Sequence, residues 1–400
     1  MLDAYIYDGI RTPIGCHAGV LSSIRPDDLL AENIKHLLQR TNVDISRIED
    51  VVIGCTNQAG EDARNVARHG ALLAGLPVSV AGQTQNRLCG SGLSAIIEAS
   101  RAISCQEGEL FIAGGVESMS RAPYVMAKNE TAFSRNVIVF DSTIGARFPN
   151  KEIEKVFGDD TMPQTADNIA VNLNISRNES DDFALRSQQN YQRALSAGFY
   201  NDEIMSMSIK KSKKSPVETV NADEHPRPQI TLDKLSRLSP LFEGGVVTAG
   251  NASGINDASA LLLMGNKQVG EAYNIKPRGR IIAAAVAGVE PRLMGLGPVV
   301  AIQKVLSRVN LSLQDMDVIE INEAFATQVL GCLKQLKLSY NDERVNPNGG
   351  AISMGHPLGA SGARLALTAL RQLENTGGRY AVVSLCIGLG QGIAAVIERS

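Results

Sequence analysis

The sequence predicts an α/β fold built from two like halves, with a long insertion in the first. Three observations point there. The stretch from Gly90 to Ser118, GSGLSAIIEASRAISCQEGELFIAGGVES, aligns without a gap on the stretch from Ala360 to Gly388, ASGARLALTALRQLENTGGRYAVVSLCIG, at a shift of 270 residues. The apolar runs ELFIAGG, ASALLLM, RGRIIAAAVAG and YAVVSL lack strict alternation, as strands buried on both faces do. Helical patterns separate those runs, which argues for largely βα-type topology and covered sheets.

Taken in order, MLDAYIYDGIRTP lacks the basic-then-apolar layout of a signal peptide and reads as a first strand. DVVIGCTN, from Asp50, is the next, and it returns as DVIEINEA from Asp317. Ser91 then meets Ser361, Gly92 meets Gly362, Arg101 meets Arg371 and Gly108 meets Gly378. Each copy opens on Ser-Gly, runs as a helix of roughly 13 residues, breaks, and enters an apolar strand. Two long-range matches in one order suggest an internal duplication, with a period too long for a solenoid. The halves are expected at 1–270 and 271–400. Ser120 to Gly250 is polar-rich, with helical patches TADNIAVNLN and SDDFALRSQQNYQRALSAG. It reads as an insertion, about 121–250, that serves as a binding lid on a rigid scaffold. Its KKSKK run, Lys210 to Lys214, reads as a solvated loop, with phosphate attraction the alternative. Gly244 to Met264 returns the chain to its core.

The 400 residues exceed one ordinary domain. Hydrophobic residues at 44% and charged residues at 20% describe a globular protein with ample core. A formal charge of −3 gives no reason to expect nucleic acid or an anionic membrane as partner. No run reaches the roughly 18 apolar residues of a membrane span. The six cysteines, Cys16, Cys55, Cys89, Cys105, Cys332 and Cys386, form no CxxC pair, so no zinc site is expected. They are sparse for the length, which fits a reducing cytoplasm. The terminal IERS is no peroxisomal address of the SKL type.

The chemistry concentrates in four glycine-rich places. In NRLCGSGLSAI, Asn86 to Ile96, Cys89 stands where a helix would point free N–H groups and its positive dipole end at the sulfur. That setting lowers a thiol pKa, though a small buried residue at a tight helix start is the plainer reading. NEAFA carries Asn322, NGGAISMGHPLGASGAR carries His356, and CIGLGQG carries Cys386. Asn322 and His356 are equally explained as turn or cap residues, and Cys386 as core. GLGQG lacks the GxGxxG spacing at a first βα turn, which argues against a nucleotide loop. If the halves pack about a pseudo-two-fold, the helix starts of Cys89 and His356 face each other. Cys386 then arrives from the adjacent strand end, and two thiols and an imidazole share one pocket.

NRLCGSG, GGVESMS, GNASG, NEAFA, GGAISMGHPLGASGAR and CIGLGQG, in this order and across essentially the whole chain, resemble the motif set of the thiolase family. RTPIG, NQAGEDARNVAR, SRAPYVM, DSTIGARF, TMPQTADN and ALRSQQ look closer to the branch that cleaves 3-oxoadipyl-CoA. The resemblance implies a five-layer αβαβα fold. It also implies thiolysis by coenzyme A, as co-substrate with no permanently bound cofactor, to succinyl-CoA and acetyl-CoA in aromatic-compound catabolism. Cys89 would carry the acyl group, His356 would take its proton and that of incoming coenzyme A, and Cys386 would act on the α-carbon. Asn322 would hold a water at the enolate oxygen, and the N–H groups of Cys89 and Gly388 would meet the tetrahedral oxyanion. Arg227 and Ser253 would contact coenzyme A, and Met162, Met294, Ala324 and Phe325 would line its channel. Family habit implies a homo-oligomer, a dimer of dimers.

The rivals are a general 3-ketoacyl-CoA thiolase or acetyl-CoA acetyltransferase, a ketoacyl synthase, a Cys-His thiol hydrolase, and a non-catalytic acyl-CoA binder. A ketoacyl synthase would usually offer two histidines where Asn322 and Cys386 stand, and a hydrolase has no need of Cys386. A 3-oxoadipyl group brings a distal carboxylate that needs a cation or several donors. Arg147 is the leading candidate to hold it, with Arg121 and His69 behind.

Overall fold

The computed structural model describes residues 2–62, 64–210 and 214–400. Residues 211–213 of the lysine run therefore lie outside the described residues. Five long strands come from the first half: β1 (Ala4–Arg11), β2 (Ile48–Gly54), β3 (Ala81–Gln85), β4 (Leu110–Ser118) and β5 (Asn256–Gly265). Four come from the second: β6 (Gly279–Gly288), β7 (Val318–Ile321), β8 (Tyr380–Ile387) and β9 (Gln391–Arg399). With the two-residue strand Gly15–Cys16 on β5, they form one ten-stranded sheet in the order β3-β2-β4-β5-β1-β6-β9-β8-β7.

Apart from β3, the order is a strand-for-strand repeat. β2, β4, β5 and β1 correspond to β7, β8, β9 and β6, and the halves meet where β1 and β6 pair antiparallel, Ala4 opposite Ile281 and Ile6 opposite Gly279. The sheet is mixed rather than largely parallel: β2 runs parallel to β3 and β4, β7 runs parallel to β8, and the inner pairs are antiparallel. The reason is local. β8 and β9 are joined by the three-residue turn Gly388–Gly390, and so short a link permits only antiparallel pairing. In the first half the insertion stands in place of that turn and delivers β5 to β4 in the same sense.

The principal helices are α1 (Pro26–Arg40), α2 (Val66–Leu73), α3 (Ser91–Ser104), α4 (Met162–Leu173), α5 (Arg177–Ser196), α6 (Gly297–Arg308), α7 (Ala326–Leu336) and α8 (Leu358–Thr376). Three cores define five layers. Leu30 and Ile34 of α1 and Ala67 of α2 pack on Ile112 and Leu261. Ile96 of α3 and Leu367 of α8 are shared between Phe111 and Leu262 of one half and Val383 and Ile393 of the other. Ile302 of α6 and Val329 of α7 cover Val382 and Val396, and Ile169 of α4 and Phe183 of α5 join them. With the two halves of the one sheet on either side of α3 and α8, the layers run helix, half-sheet, helix, half-sheet, helix, the αβαβα arrangement that the resemblance implies. β4 and β5 are buried at every residue, which is why neither alternates.

The segments after Cys89 and His356 are each a helix followed by a strand, α3–β4 and α8–β8, as a duplication requires. Their starts touch through backbone. A Cβ on Gly92 would stand 2.4 Å from the Gly359 carbonyl oxygen, so only glycine permits the approach. The insertion is bolted to β1 by Arg11, whose fully buried guanidinium lies 2.6 Å from Glu203 and 2.7 Å from Asp223. Removing one partner of such a group leaves an uncompensated buried charge.

Candidate active site

Cys89 sits on a tight turn. The Gly90 and Ser91 N–H groups donate to Arg87 and Leu88 carbonyls, both at 3.0 Å. Ser91 Oγ accepts the Arg87 N–H at 2.8 Å and donates to the Leu88 carbonyl at 2.6 Å. Leu88 holds a left-handed φ of 47° to make the turn. The N–H groups of Cys89 and Gly388 both reach the sulfur, and each favours its thiolate. Burial nevertheless wins and, with a smaller contribution from the Glu117 carboxylate, pushes the Cys89 thiol up to about 11. The expectation of a lowered pKa is thus overturned. Two backbone dipoles do not offset the desolvation of an anion at this depth.

His356 does not cap α8. Pro357 is the N-cap, and no side chain bonds there. The Asn256 side-chain oxygen accepts the His356 N–H at 2.9 Å, and Gly355, at φ 110°, lies against the Asn256 amide. His356 Nδ1 lies 2.7 Å from Ser361 Oγ, which also lies 3.1 Å from the Pro357 carbonyl. If the hydroxyl donates to that carbonyl, it accepts Nδ1–H and leaves Nε2 as a bare acceptor. Nε2 lies 3.4 Å from Asn322 Nδ2, which fits that tautomer. Burial, helped by Arg364, lowers His356 to about 3, so the ring is neutral at rest.

Asn322 directly follows β7, its N–H donating to the Ser384 carbonyl at 2.9 Å, and its buried side-chain oxygen has no partner among the described residues. Cys386 ends β8 and is also buried. Burial and then Cys89 raise its thiol well above the usual range. The His356 imidazole is not among the causes; the other thiol of the pocket is.

Met294, Ala324 and Phe325 form one apolar cluster around Cys386. They are brought there by two strips lying side by side. Ala252 pairs with Phe325, and the Ser253 N–H donates to the Ala324 carbonyl at 2.9 Å. Met162 opens α4 with its sulfur 3.6 Å from where a Gly388 Cβ would stand. Arg227 is placed from the other side. Its N–H donates to Gln188, whose amide donates to the Ile352 carbonyl, and its guanidinium bears on Cys16. No cluster of metal-ligating residues occurs among the described residues. Nor, among them, is any helix long and apolar enough to cross a membrane. A polar cavity of about 650 Å³, lined by Arg186, Arg193, Phe199 and Gln372, contains none of the candidate residues.

Of the three distal-carboxylate candidates, Arg121 already clamps Glu61, and His69 lies 3.8 Å from Asp27; Arg25 links those two acids in one surface network. Arg147 donates to the Ser142 carbonyl. The sequence reading missed Ser361 and Glu117. Ser361 was visible as the counterpart of Ser91, since each serine braces the loop that carries a reactive side chain. Glu117 had no such signal. Its buried carboxylate accepts the N–H groups of Thr56 at 2.9 Å, Asn57 at 3.2 Å and Gly359 at 2.8 Å. It thereby ties the first half to the start of α8.

The family profile "Thiolase, N-terminal domain" matches residues 4–268, and "Thiolase, C-terminal domain" matches residues 275–399. The chain is 56% identical over 401 residues to the 3-oxoadipyl-CoA/3-oxo-5,6-dehydrosuberyl-CoA thiolase of Escherichia coli (strain K12), covering all of both chains. It is 53% identical over 401 residues to a beta-ketoadipyl-CoA thiolase of Acinetobacter baylyi, again end to end. The crystal structure of human mitochondrial 3-ketoacyl-CoA thiolase is similar with a TM-score of 0.92 at 38% identity, covering 100% of this chain and 99% of that one.

Proposed function

We propose, for a chain that belongs to the thiolase family and is therefore an acyltransferase acting on acyl-CoA, thiolytic cleavage of 3-oxoadipyl-CoA to succinyl-CoA and acetyl-CoA. The end-to-end likeness to relatives named for that substrate carries the choice. The convergence of the Cys89 and Gly388 N–H groups on one sulfur supports the chemistry.

At rest Cys89 is a thiol and His356 is neutral, so nothing is ionised in advance. As the sulfur attacks the C3 ketone, its proton passes to His356 Nε2, and the oxyanion is met by the N–H groups of Cys89 and Gly388. One such donor is typically worth ~10²–10³ in rate. The C2–C3 bond then breaks. Its electron pair becomes the enolate of acetyl-CoA, stabilised at oxygen by His356 and by Asn322 through a water it orients. Cys386 gives its proton to the carbon. A raised pKa suits that role, because the thiol keeps its proton until a stronger base forms beside it. His356 returns that first proton to the Cys386 thiolate. Coenzyme A then attacks the succinyl carbonyl on Cys89, His356 takes the proton of its thiol, and the Cys89 sulfur leaves and recovers that proton as succinyl-CoA departs. Splitting the exchange at a covalent intermediate replaces one difficult step by two easier ones.

Arg227 and Ser253 hold coenzyme A in this reading, and Met162, Met294, Ala324 and Phe325 line its channel. Arg147, which donates to the Ser142 carbonyl and acts on Asp141 only through its charge, holds the distal carboxylate. The halves are placed at 1–270 and 271–400, a division supported by the matched spans 4–268 and 275–399, and the insertion is placed at 121–250. We further propose a homo-oligomer, a dimer of dimers, in the cytoplasm with no resident cofactor; six free thiols fit a reducing compartment. The test is kcat/KM for 3-oxoadipyl-CoA, acetoacetyl-CoA and a long 3-oxoacyl-CoA. A preference for 3-oxoadipyl-CoA is expected, and a preference for acetoacetyl-CoA removes the substrate assignment.

A further inference from the structure

The turn Gly388–Gly390 holds two consecutive residues in the left-handed region, Leu389 at φ 64° and Gly390 at φ 77°. Gly390 needs to be glycine twice over, since a Cβ there would also stand 2.2 Å from the Val289 carbonyl oxygen. Leu389 has no such excuse. A γ-branched side chain in that conformation costs free energy that glycine or asparagine would largely avoid. Among the described residues the other leucine with positive φ is Leu88, and Leu88 packs against the central core. Leu389 is 67% exposed. It is therefore strained without being buried, and folding offers no return for it.

Its neighbours suggest what does. Leu389 directly follows Gly388, whose N–H reaches the Cys89 sulfur. A Cβ at Gly388 would lie 3.4 Å from Leu88 Cδ1 and 3.6 Å from Met162 Sδ, and Met162 is itself 36% exposed. Leu88 and Met162 thus flank Gly388 with apolar side chains, and Leu389 is the next residue of the same turn, one residue from the N–H that reaches the Cys89 sulfur.

We propose that Leu389 is a substrate-contacting residue whose side chain packs on the methylene chain of the acyl group held by Cys89, so that the turn grades substrates by acyl length. This rests on the thiolase reading above and adds a specificity element to it. A ligand that removes both Leu389 and its own methylenes from water gives the strained turn a reason to keep its side chain.

The test compares Leu389→Asn and Leu389→Gly, both at ease with positive φ, in the full-length enzyme. The substrates are acetoacetyl-CoA and the neutral 3-oxohexanoyl-CoA, which separate chain length from charge. Both variants should lose about tenfold in kcat/KM on the six-carbon substrate relative to acetoacetyl-CoA, carried mainly by KM. Their unfolding midpoints should equal or exceed that of the parent, and their mass in solution should be unchanged. Equal loss on both substrates, or none, overturns the proposal, because the side chain then shapes the turn or does nothing. A change in mass overturns it too, assigning Leu389 to a subunit contact. A parent enzyme that cleaves neither of these nor 3-oxoadipyl-CoA removes the thiolase reading itself; one that cleaves both, with variants of unchanged selectivity, removes only the role of Leu389.

Discussion

His356 Nδ1 stands 2.7 Å from Ser361 Oγ, and that serine is the duplicate of Ser91, which braces the Cys89 turn. Ser361→Ala should free the ring to adopt the other tautomer and lower kcat about 10–100-fold, part of the ~10²–10⁴ that general acid–base catalysis supplies. KM should move little. Ser361→Thr, which keeps the hydroxyl, should recover much of the rate. An alanine variant with parental kcat would show that the serine merely closes the first turn of α8.

With Cys89 raised to about 11 and His356 lowered to about 3, the free enzyme has no ionisation near 6.5 at these two groups. A thiol above its ordinary value is protonated below that value, so alkylation of Cys89 should climb steadily through pH 8 to 10. The kcat/KM for thiolysis should lack a histidine limb between pH 5 and 8. Iodoacetamide rates followed by peptide mapping measure the first. A plateau of alkylation below pH 8 would establish a pre-formed thiolate instead.

Cys386→Ser should separate carbon chemistry from acyl transfer. Exchange of the acetyl-CoA methyl hydrogens with deuterated solvent should collapse, while radiolabelled acetyl-CoA still labels the peptide containing Cys89. Cys89→Ala should abolish that label. Undiminished exchange in the serine variant takes the α-carbon role from Cys386.

Gly92→Ala tests the contact between the two helix starts. Its Cβ would stand 2.4 Å from the Gly359 oxygen and 3.1 Å from the Ala363 nitrogen, both backbone, so a helix must move. A loss of ~1–3 kcal/mol is expected from the overlap. It should bring a disproportionate fall in kcat, since the displacement falls between Cys89 and His356. Thermal unfolding and steady-state kinetics on one sample give both. A stable variant of normal activity would mean that α3 and α8 need not meet this closely.

Repeats and residue types are local properties, and they made the duplicated halves and the Cys89, His356, Asn322 and Cys386 set legible. Protonation was not. Whether Cys89 is a thiol or a thiolate depends on how much protein covers it, and that cover comes from β8, the Gly388 turn and α4, all distant in sequence. The sense of each strand was not legible for a related reason. The three-residue turn after β8 was in plain view as GLGQG, but its first-half counterpart is hidden by the insertion. Glu117 has partners in Thr56, Asn57 and Gly359 that share no sequence pattern with it.

The seam between β1 and β6 sets a timetable for the nascent chain. β1 spans Ala4–Arg11, and both of its neighbours in the sheet, β5 and β6, are among residues 256–288, so about 250 residues are made between β1 and a partner. At ~5–20 residues per second, the first strand must wait roughly 15–60 s for a partner. Through that interval the apolar β4 likewise lacks β5 on one edge. The polar insertion is synthesised in between, so the longest exposure of unpaired strand coincides with the most water-compatible stretch of the protein. Tolerance of slow translation, and demand for chaperones that shield strand edges, are therefore properties of where β1 was placed in the sheet.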